Sequence, residues 1–510
     1  MTIATSTGKG SLKPSQATMT VGDALHTSPA VDAAVRALVD EVKAASAKVT
    51  AVKPGVPELR ETFEGLLGRA TQARGRALLY PYLGSGVGNG PLVELADGSV
   101  KWDMICGIGV NFFGHSDADL VEASIRGGID DVLKHGNLTS NFEAYHFGET
   151  LLAEASRGSR LRHAYLATGG AMANENALKL CMQRLSMRPL EIGDPAKLLA
   201  SHAPTPRVFA FKDCFMGRSM MMASIGDNHA GREGLPIVAD VDYVPFWDAV
   251  AAERMGGKRK YIDWVMSRVI ETTERYPGAH ACFIFELVQG EGGFNVGDRD
   301  YFKTLMDFCH SRKIAVWDDE IQTFGRLPSM FAFEHFDLGD YVDVLTVGKM
   351  TQACATLWTE EFNPKTALLS GTFTGEGPSF RVGKRVIERL RDGDWYGERG
   401  EFARQHGLFR RHASALIAKH PEWFPPVEAL GGGGENLVGG IGGMCRFTPF
   451  GGHKLKVQAA CKAIFEEGVM LFYAGHGPYH IRMLPPLPCM RDEHWPQVFA
   501  CIERGLAKVT

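Results

Sequence analysis

The middle third of the chain alternates short apolar runs with amphipathic segments, and this alternation constrains the fold more than any other feature. Strands are predicted over Arg162–Thr168, Arg207–Lys212, Ala281–Val288, Ile314–Trp317 and Val342–Val347. Helices are predicted over Gly170–Met187 and Asp298–Lys313. The second helix carries apolar side chains at i, i+3, i+4 and i+7, the spacing of a face that packs on a sheet: Phe302, Leu305, Met306 and Cys309. Strand–helix–strand succession predicts an α/β fold with a mostly parallel sheet flanked by helices.

The length of 510 residues exceeds what one hydrophobic core usually supports, so two domains are expected. Residues 1–20 are predicted to be a flexible N-terminal segment. Residues 111–384 are predicted to form the large domain. Residues 21–110 and 385–510 mix helices with glycine-rich turns, and we expect both chain ends to build one smaller α+β domain.

Charge and composition narrow the class of protein. The net charge of −4 leaves no basic surface of the kind that binds nucleic acid. No apolar run approaches the roughly 20 residues of a membrane span, and the first twenty residues lack the apolar core of a signal peptide. The 10 cysteines form no Cys-x-x-Cys pair, and the 17 histidines show no metal-ligand spacing. We therefore expect a cytoplasmic enzyme that binds neither nucleic acid, membrane nor metal.

Chemically active residues follow several predicted strands. Asp319 follows one, Lys349 follows another, Gly170 and Ala171 open a helix, and Glu291 lies in a glycine-rich loop. Ligands of such sheets bind beyond the carboxyl ends of the strands. A lysine can form a Schiff base, an aspartate can keep a pyridine nitrogen protonated, and a helix N-terminus can bind phosphate. Together these groups are what pyridoxal 5′-phosphate (PLP) requires.

Each residue also has a simpler interpretation. Lys349 could be a solvated surface cation, Asp319 could cap a turn, and Asp318 beside it competes for any role. The glycine-rich run Gly84–Gly90 invites assignment as a dinucleotide loop, but no helix follows it. The sequence Pro91–Asp103 instead predicts a β-hairpin.

The sequence resembles a known family, the class III (ω-) aminotransferases, which are PLP enzymes of fold type I. The resemblance covers the chain from about residue 90 to the end. It rests on five segments: Thr168–Leu180, Phe215–Met220, Phe285–Gly293, Trp317–Met350 and His480–Leu487. It implies a PLP-dependent aminotransferase with ping-pong kinetics.

The resemblance also implies roles for individual residues. Lys349 would bind PLP and move the proton between substrate and cofactor, and Asp319 would pair with the pyridine nitrogen. Thr372 would reach the phosphate from a neighbouring subunit, which implies a homodimer with shared active sites, although Thr374 could serve instead. The implied cofactor-binding residues are Gly170, Ala171, Phe215, Asp319, Gln322, Lys349 and Thr372.

Three charged residues would bind substrate. Arg482 matches the carboxylate-binding arginine of the family. Arg218 matches a second carboxylate-binding arginine, which is used by family members that act on diamino acids. Glu291 matches the glutamate that pairs with the first arginine when no second carboxylate is present. The donor would then be an amine or diamino acid, and the acceptor an oxo acid such as 2-oxoglutarate.

Some alternatives remain open at this level. The segments 169–179 and 348–354 favour the lysine ε-aminotransferase branch. The long interval 231–269, with Trp247 and Trp264, could cover the pocket, although a surface elaboration is favoured. The same cofactor residues also serve aminomutases, racemases and decarboxylases, and an inactive scaffold that kept the fold is a further alternative.

Overall fold

The computed structural model describes residues 19–78, 80–131, 134–186, 207–228 and 231–509. Most of the segment predicted to be flexible, residues 1–20, lies outside these ranges. The described strands, numbered along the chain, are β1 (Gly84–Asn89), β2 (Leu92–Leu95), β3 (Val100–Asp103), β4 (Lys134–His135), β5 (Leu161–Ala167), β6 (Arg207–Phe211), β7 (Asp240–Val244), β8 (His280–Phe285), β9 (Ala315–Glu320), β10 (Val344–Val347), β11 (Cys354–Thr359), β12 (Gly375–Glu376), β13 (Val438–Ile441), β14 (Met444–Phe447), β15 (Val469–Met470), β16 (Phe472–Ala474) and β17 (His480–Met483).

Helices separate and cover these strands. The α-helices with regular backbone angles are Val21–His26, Pro29–Ser46, Arg60–Arg74, Ala118–Gly128, Phe142–Ala155, Gly170–Ser186, Met220–Ile225, Ala249–Arg254, Lys258–Arg275, Arg299–Ser311, Ala332–His335, Gly377–Asp392, Glu401–Lys419, Lys454–Glu466 and His494–Ala507. None of the helices in the described ranges is long and apolar enough to cross a membrane.

A seven-stranded sheet in the order β5-β11-β10-β9-β8-β6-β7 forms the centre of the large domain. Strands β10, β9, β8, β6 and β7 pair in parallel, whereas β11 runs antiparallel to both β10 and β5. The predicted α/β fold with a mostly parallel sheet is confirmed. Strands β8, β9 and β10 are buried along their whole length, as expected for a sheet covered on both faces.

The prediction placed the end of one central strand too early. Strand β9 was expected to end at Trp317, but it continues through Asp318 and Asp319 to Glu320. Sequence patterns end strands at charged residues, whereas here backbone N–H groups donate to the buried carboxylates of Asp319 and Glu320. Alternation along a strand also settles which acid faces the site, because neighbouring side chains point to opposite faces.

Two sheet strands were not predicted. Strand β11 begins directly after the turn that carries Lys349, and its sequence CATLWT was not recognised as a strand. Strand β7, with sequence DVDYV, lies at the sheet edge, where polar residues are tolerated. Because β7 belongs to the interval 231–269, the idea of a purely surface elaboration there was wrong. The two tryptophans of that interval pack around Tyr261, at 5.5 and 5.7 Å between ring centroids.

Both ends of the chain contribute to the smaller α+β part. Strands β2 and β3 form the hairpin predicted over Pro91–Asp103, and β1 extends it, so the run Gly84–Gly90 is a strand and no nucleotide loop. Strand β15 from the C-terminal region pairs in parallel with β3. A second sheet has the order β13-β14-β17-β16. The domain boundaries at residues 110 and 384 stay predictions.

The apolar face predicted for the helix Arg299–Ser311 is buried against the sheet: Phe302, Leu305, Met306 and Cys309 are at most 1% exposed. Asp298 caps this helix through a hydrogen bond from the Tyr301 N–H. All ten cysteines are free, and eight of them are buried, as expected for core thiols.

Candidate active site

The carboxyl ends of β8, β9 and β10 bring the predicted catalytic residues to one edge of the central sheet. Phe285 pairs with Asp318, so Glu286 and Asp319 lie side by side at the ends of neighbouring strands. Thr346 pairs with Asp319 in the next strand, and Lys349 follows three residues later. Three distant segments thus meet because their strands are parallel and in register.

Asp319 is held in one orientation by two hydrogen bonds. Its Oδ1 accepts from the Ile321 N–H at 3.0 Å, and its Oδ2 accepts from Asn174 Nδ2 at 2.8 Å. The side chain is buried, and this burial raises the pKa of Asp319 to about 6 although both hydrogen bonds and the Lys349 charge act in the opposite direction. A buried carboxylate in this state is stabilised by a cationic N–H such as a protonated pyridine nitrogen.

Lys349 lies in the short turn Lys349–Thr351 directly after β10, with a left-handed backbone of φ 54°. Burial lowers the pKa of its ammonium group, while Glu291 and Asp319 raise it by a smaller amount. Its Nζ makes no hydrogen bond and no ion pair within 4 Å with the residues the structure describes. An amine with a lowered pKa and no fixed partner is suited to covalent and proton-transfer chemistry.

The helix Gly170–Ser186 begins at the same sheet edge. The N–H groups of Met172 and Ala173 both donate to the Gly169 carbonyl. The N–H groups of Gly170 and Ala171, which come directly before them, have no acceptor among the described residues. These are the free N–H groups that bind phosphate at a helix N-terminus. Gly217 has φ 130° and lies so close to Ala171 that an added Cβ would come within 2.8 Å of the Ala171 Cβ.

Glu286 is a site residue to which the sequence analysis assigned no role. Its Oε2 accepts from the Phe215 N–H at 3.1 Å and its Oε1 accepts from the Gly290 N–H at 3.2 Å. It therefore connects Phe215, one of the predicted cofactor-binding residues, to the loop that carries Glu291. Burial, followed by the nearby Asp319 charge, raises the pKa of Glu286 to about 8. Glu286 lies within Phe285–Gly293, one of the segments that carry the family resemblance, and this position could have indicated a role at the site.

Asn174 is a second residue that the sequence analysis left without a role. It is 2% exposed, and its Nδ2 donates both to Asp319 and to the Met216 carbonyl at 2.7 Å. Asp318, which competed with Asp319 in the sequence, points away from this edge. Burial, followed by the neighbouring Glu320 carboxyl, raises the pKa of Asp318 well above its usual range. Asp319 is thus the acid that faces the site.

Arg482, Glu291 and Gln322 form a charged group beside Lys349. Arg482 is fully buried on β17, and its Nη2 lies 2.8 Å from Glu291 Oε1. Its Nη1 donates to Gln322 Oε1 at 3.4 Å. Burial raises the pKa of Glu291, but Arg482 and then Lys349 more than offset this, so the pKa lies below its usual value. The aromatic rings of Phe472 and Phe294 lie 5.2 and 5.8 Å from the guanidinium carbon.

Arg218 and Thr372 do not join this buried group. Arg218 is exposed, its guanidinium lies 5.4 Å from the Phe215 ring centroid, and it forms no ion pair with a described residue. Thr372 is also exposed. Thr374 is buried, and both its N–H and its Oγ1 bond to the His135 carbonyl of the same chain. Of the two threonines, Thr372 is therefore the one available to another subunit.

The residues present fit PLP on the observations above. Asp319 offers a buried carboxylate to a ring nitrogen, Lys349 offers an amine without a fixed partner, and Gly170 and Ala171 offer free N–H groups to a phosphate. Within the described ranges, no three His, Cys, Asp or Glu side chains are grouped so that they could hold a metal ion.

The sequence from residue 85 to residue 506 matches the class III aminotransferase family. The chain belongs to this family, whose members are PLP-dependent enzymes. The predicted family and cofactor are confirmed.

Curated relatives agree with this assignment. Acetylornithine aminotransferase of Methanocaldococcus jannaschii is 29% identical over 264 residues, which cover 51% of this chain and only 56% of that enzyme. Diaminobutyrate–2-oxoglutarate transaminase of Wolinella succinogenes is 25% identical over 402 residues, which cover 76% of this chain and 84% of that enzyme.

A solved structure supports the fold. Lysine aminotransferase from M. tuberculosis superposes with a TM-score of 0.71 over 87% of this chain and 100% of that one, at 19% identity. Identity this low supports the fold alone. The predicted fold type I is confirmed, and the predicted lysine ε-aminotransferase branch stays a prediction.

Proposed function

We propose that this class III aminotransferase moves an ω-amino group from an amine or diamino acid to 2-oxoglutarate by a ping-pong mechanism. The observation that carries the proposal is the pair Arg482–Glu291, whose charges both act on the pKa of Lys349. Ping-pong transfer requires one pocket to accept two substrates of different charge in turn. A mutase or racemase has no second substrate and gains nothing from such a pair.

The pair solves a problem of charge. A fully buried guanidinium without a counter-ion costs several kcal/mol. When the donor places no carboxylate at Arg482, Glu291 neutralises the guanidinium. When the oxo acid arrives, its carboxylate can take the place of Glu291, whose side chain is 25% exposed and therefore free to move toward solvent. The arginine fork then holds the oxo acid through two hydrogen bonds.

PLP supplies an aldehyde carbon and an electron-withdrawing ring when it is bound. Lys349 Nζ would remove the proton from the substrate carbon that bears the amino group and would deliver it to the cofactor carbon. Asp319 would maintain a positive charge at the ring nitrogen, and Asn174 holds the carboxylate in one orientation through its hydrogen bond to Oδ2. Phe215 would cover the ring face, Gln322 would lie near the phenolic oxygen, and Glu286 fixes the loops that carry Phe215 and Glu291.

The second arginine and the subunit arrangement complete the proposal. Exposed Arg218, with no carboxylate partner among the described residues, would bind the donor carboxylate. Exposed Thr372 would reach the phosphate of a neighbouring subunit, so the active form would be a homodimer with residues 111–384 as its large domain. Ten free thiols favour the cytoplasm.

Two measurements test the proposal. Purified enzyme with a panel of ω-amines, diamino acids and 2-oxoglutarate should form glutamate, and an isomerised or decarboxylated donor without glutamate would contradict it. Lys349→Ala should abolish glutamate formation and remove the visible absorption band of the covalently bound cofactor. Lys365→Ala, an exposed lysine remote from the sheet edge, is the matched control and should keep both.

A further inference from the structure

A cavity of about 740 Å³ lies in the smaller part of the molecule, away from the active site. Its walls come from the segment 52–63, from the β2–β3 hairpin and from the end of the helix Lys454–Glu466. None of the residues at the catalytic sheet edge lines it. Four cationic side chains line it: Lys53, Arg60, Lys101 and Lys462.

Lys101 on β3 is the most unusual of these cations. It is only 8% exposed, yet no carboxylate of the described residues lies within 4 Å of its Nζ. The Nζ donates to the Phe465 carbonyl at 2.9 Å and lies 4.5 Å from the Phe465 ring centroid. An ammonium group has three donors, so two remain for a ligand in the cavity. Burial lowers the pKa of Lys101, the nearby acids Asp97, Glu466 and Glu467 offset part of this effect, and a bound anion would offset more of it.

The acids that line the same cavity are already occupied. Glu467 pairs with Arg504 at 2.6 Å and with Lys508 at 2.8 Å, and Glu466 lies 3.7 Å from Lys508. Asp97 Oδ1 accepts from both the N–H and the hydroxyl of Ser99. Glu466 and Glu467 therefore have cationic partners outside the cavity, whereas the Asp97 carboxylate is bonded, among the described residues, only to the neutral Ser99.

The other cations of the cavity are only weakly engaged. Lys53 lies 3.6 Å from Glu94, and Arg60 lies 3.8 Å from Glu64, both as exposed pairs of small energetic value. Lys462 makes no ion pair within the described part of the chain. The lining thus carries four cationic and three acidic side chains, a formal excess of one positive charge, and the acids are the more firmly paired of the two sets.

Aromatic side chains supply the apolar part of the wall. Tyr80 stacks on Phe465 with 4.9 Å between ring centroids and 13° between ring planes. Phe63 and Leu95 are buried beside them. A ligand with a flat or apolar body would contact these surfaces while its charged group meets Lys101 and Lys462.

We propose that this cavity binds a small phosphorylated molecule with an apolar or ring-shaped body. Separate ammonium groups spread around a cavity suit the three oxygens of a phosphate, whereas a carboxylate is better matched by an arginine fork. The single arginine, Arg60, is largely exposed at the rim. The site is independent of the transamination reaction.

Titration calorimetry of the holoenzyme tests the proposal, because the bound cofactor already fills the phosphate-binding helix start. The probes are phenyl phosphate, inorganic phosphate and benzoate. Phenyl phosphate should bind most tightly, since it combines the phosphate with a ring. Lys101→Met removes the charge and keeps the length of the side chain. It should weaken the binding of phenyl phosphate about tenfold, which corresponds to the loss of one charge-assisted hydrogen bond.

Two further variants keep the test decisive if Lys101→Met folds poorly. Lys462→Met removes an exposed cation of the same cavity and should also weaken binding, whereas Lys365→Met, exposed and remote from the cavity, should not. Absence of phenyl phosphate binding to the wild-type holoenzyme would overturn the proposal. Equal binding by the wild type and the Lys462→Met variant, or tighter binding of benzoate than of phenyl phosphate, would do the same.

Discussion

Glu291 Oε1 lies 2.8 Å from Arg482 Nη2, and the guanidinium of this pair is fully buried. The two residues belong to distant parts of the sequence, a loop after β8 and the strand β17. Lys349 is close enough to both for their charges to alter its pKa. The pair therefore couples the ion pairing of Arg482 to the protonation of Lys349.

Glu291→Ala should leave Arg482 without its counter-ion and destabilise the protein by about 3 kcal/mol. Glutarate, a dicarboxylate that resembles the oxo acid, should then raise the melting temperature of the variant more than that of the wild type, because it supplies the missing carboxylate. Thermal unfolding with and without glutarate measures this. Glu428→Ala, at a 91% exposed side chain, serves as control. An equal shift in variant and wild type would show that Glu291 does not occupy the position of a substrate carboxylate.

Asn174→Ala should lower kcat about tenfold, the value of one hydrogen bond to a charged group, because Asp319 loses the donor that directs its Oδ2. Cofactor affinity should fall with it, as read from the visible absorption at limiting PLP. Asn176→Ala is a suitable control on the same helix. If Asn174→Ala changes stability but neither kcat nor cofactor affinity, the residue has only a structural role.

The stability of the apoprotein should contain a pH-dependent contribution from Glu286. Its pKa is raised from 4.5 to about 8, so the folded state binds the proton more tightly than the unfolded state. This stabilising contribution is complete below pH 4.5, falls as pH rises, and is lost above about 8. Urea unfolding between these limits should show this slope in the wild type and a smaller slope in Glu286→Gln. Parallel curves for the two proteins would contradict the assignment.

Arg218→Ala should raise KM for diamino acid donors about tenfold, while donors without a carboxylate keep their KM. The reason is that Arg218 is an exposed guanidinium next to Phe215 with no carboxylate partner among the described residues. Steady-state kinetics with a matched pair of donors, a diamino acid and its decarboxylated amine, separates the two cases. An equal rise in KM for both donors would argue against a carboxylate-binding role.

Thr372→Ala should weaken PLP binding, whereas Thr374→Ser should not, because Thr374 keeps its bonds to the His135 carbonyl. Mixed dimers of Lys349→Ala and Thr372→Ala subunits decide whether Thr372 acts across the interface. If it does, each mixed dimer contains one site with both residues intact, and tight PLP binding returns in that site. Mixed dimers that bind PLP as weakly as Thr372→Ala alone would place the threonine in its own subunit.

The sequence predicted the central architecture because buried parallel strands leave a clear pattern of short apolar runs between amphipathic helices. It missed β7, whose polar residues suit a sheet edge, and β11, which follows the catalytic turn without a loop. It also ended β9 at Trp317, since no local pattern shows that a run of three acids is buried. Distant partners contribute to the stability of these strands: Asn174 donates to Asp319, and β5 pairs with β11.

The sequence by itself predicted Lys349, Asp319 and the glycine-rich helix start as site residues, because their chemistry and the motifs around them can be read locally. The positions of Asn174 and Glu286 are known only from the tertiary structure, which also shows that Asp319 faces the site and that Glu291 contacts a fully buried Arg482. The reason is physical: a side chain's orientation, burial and charge partners depend on strand alternation and on segments that only the folded chain brings together.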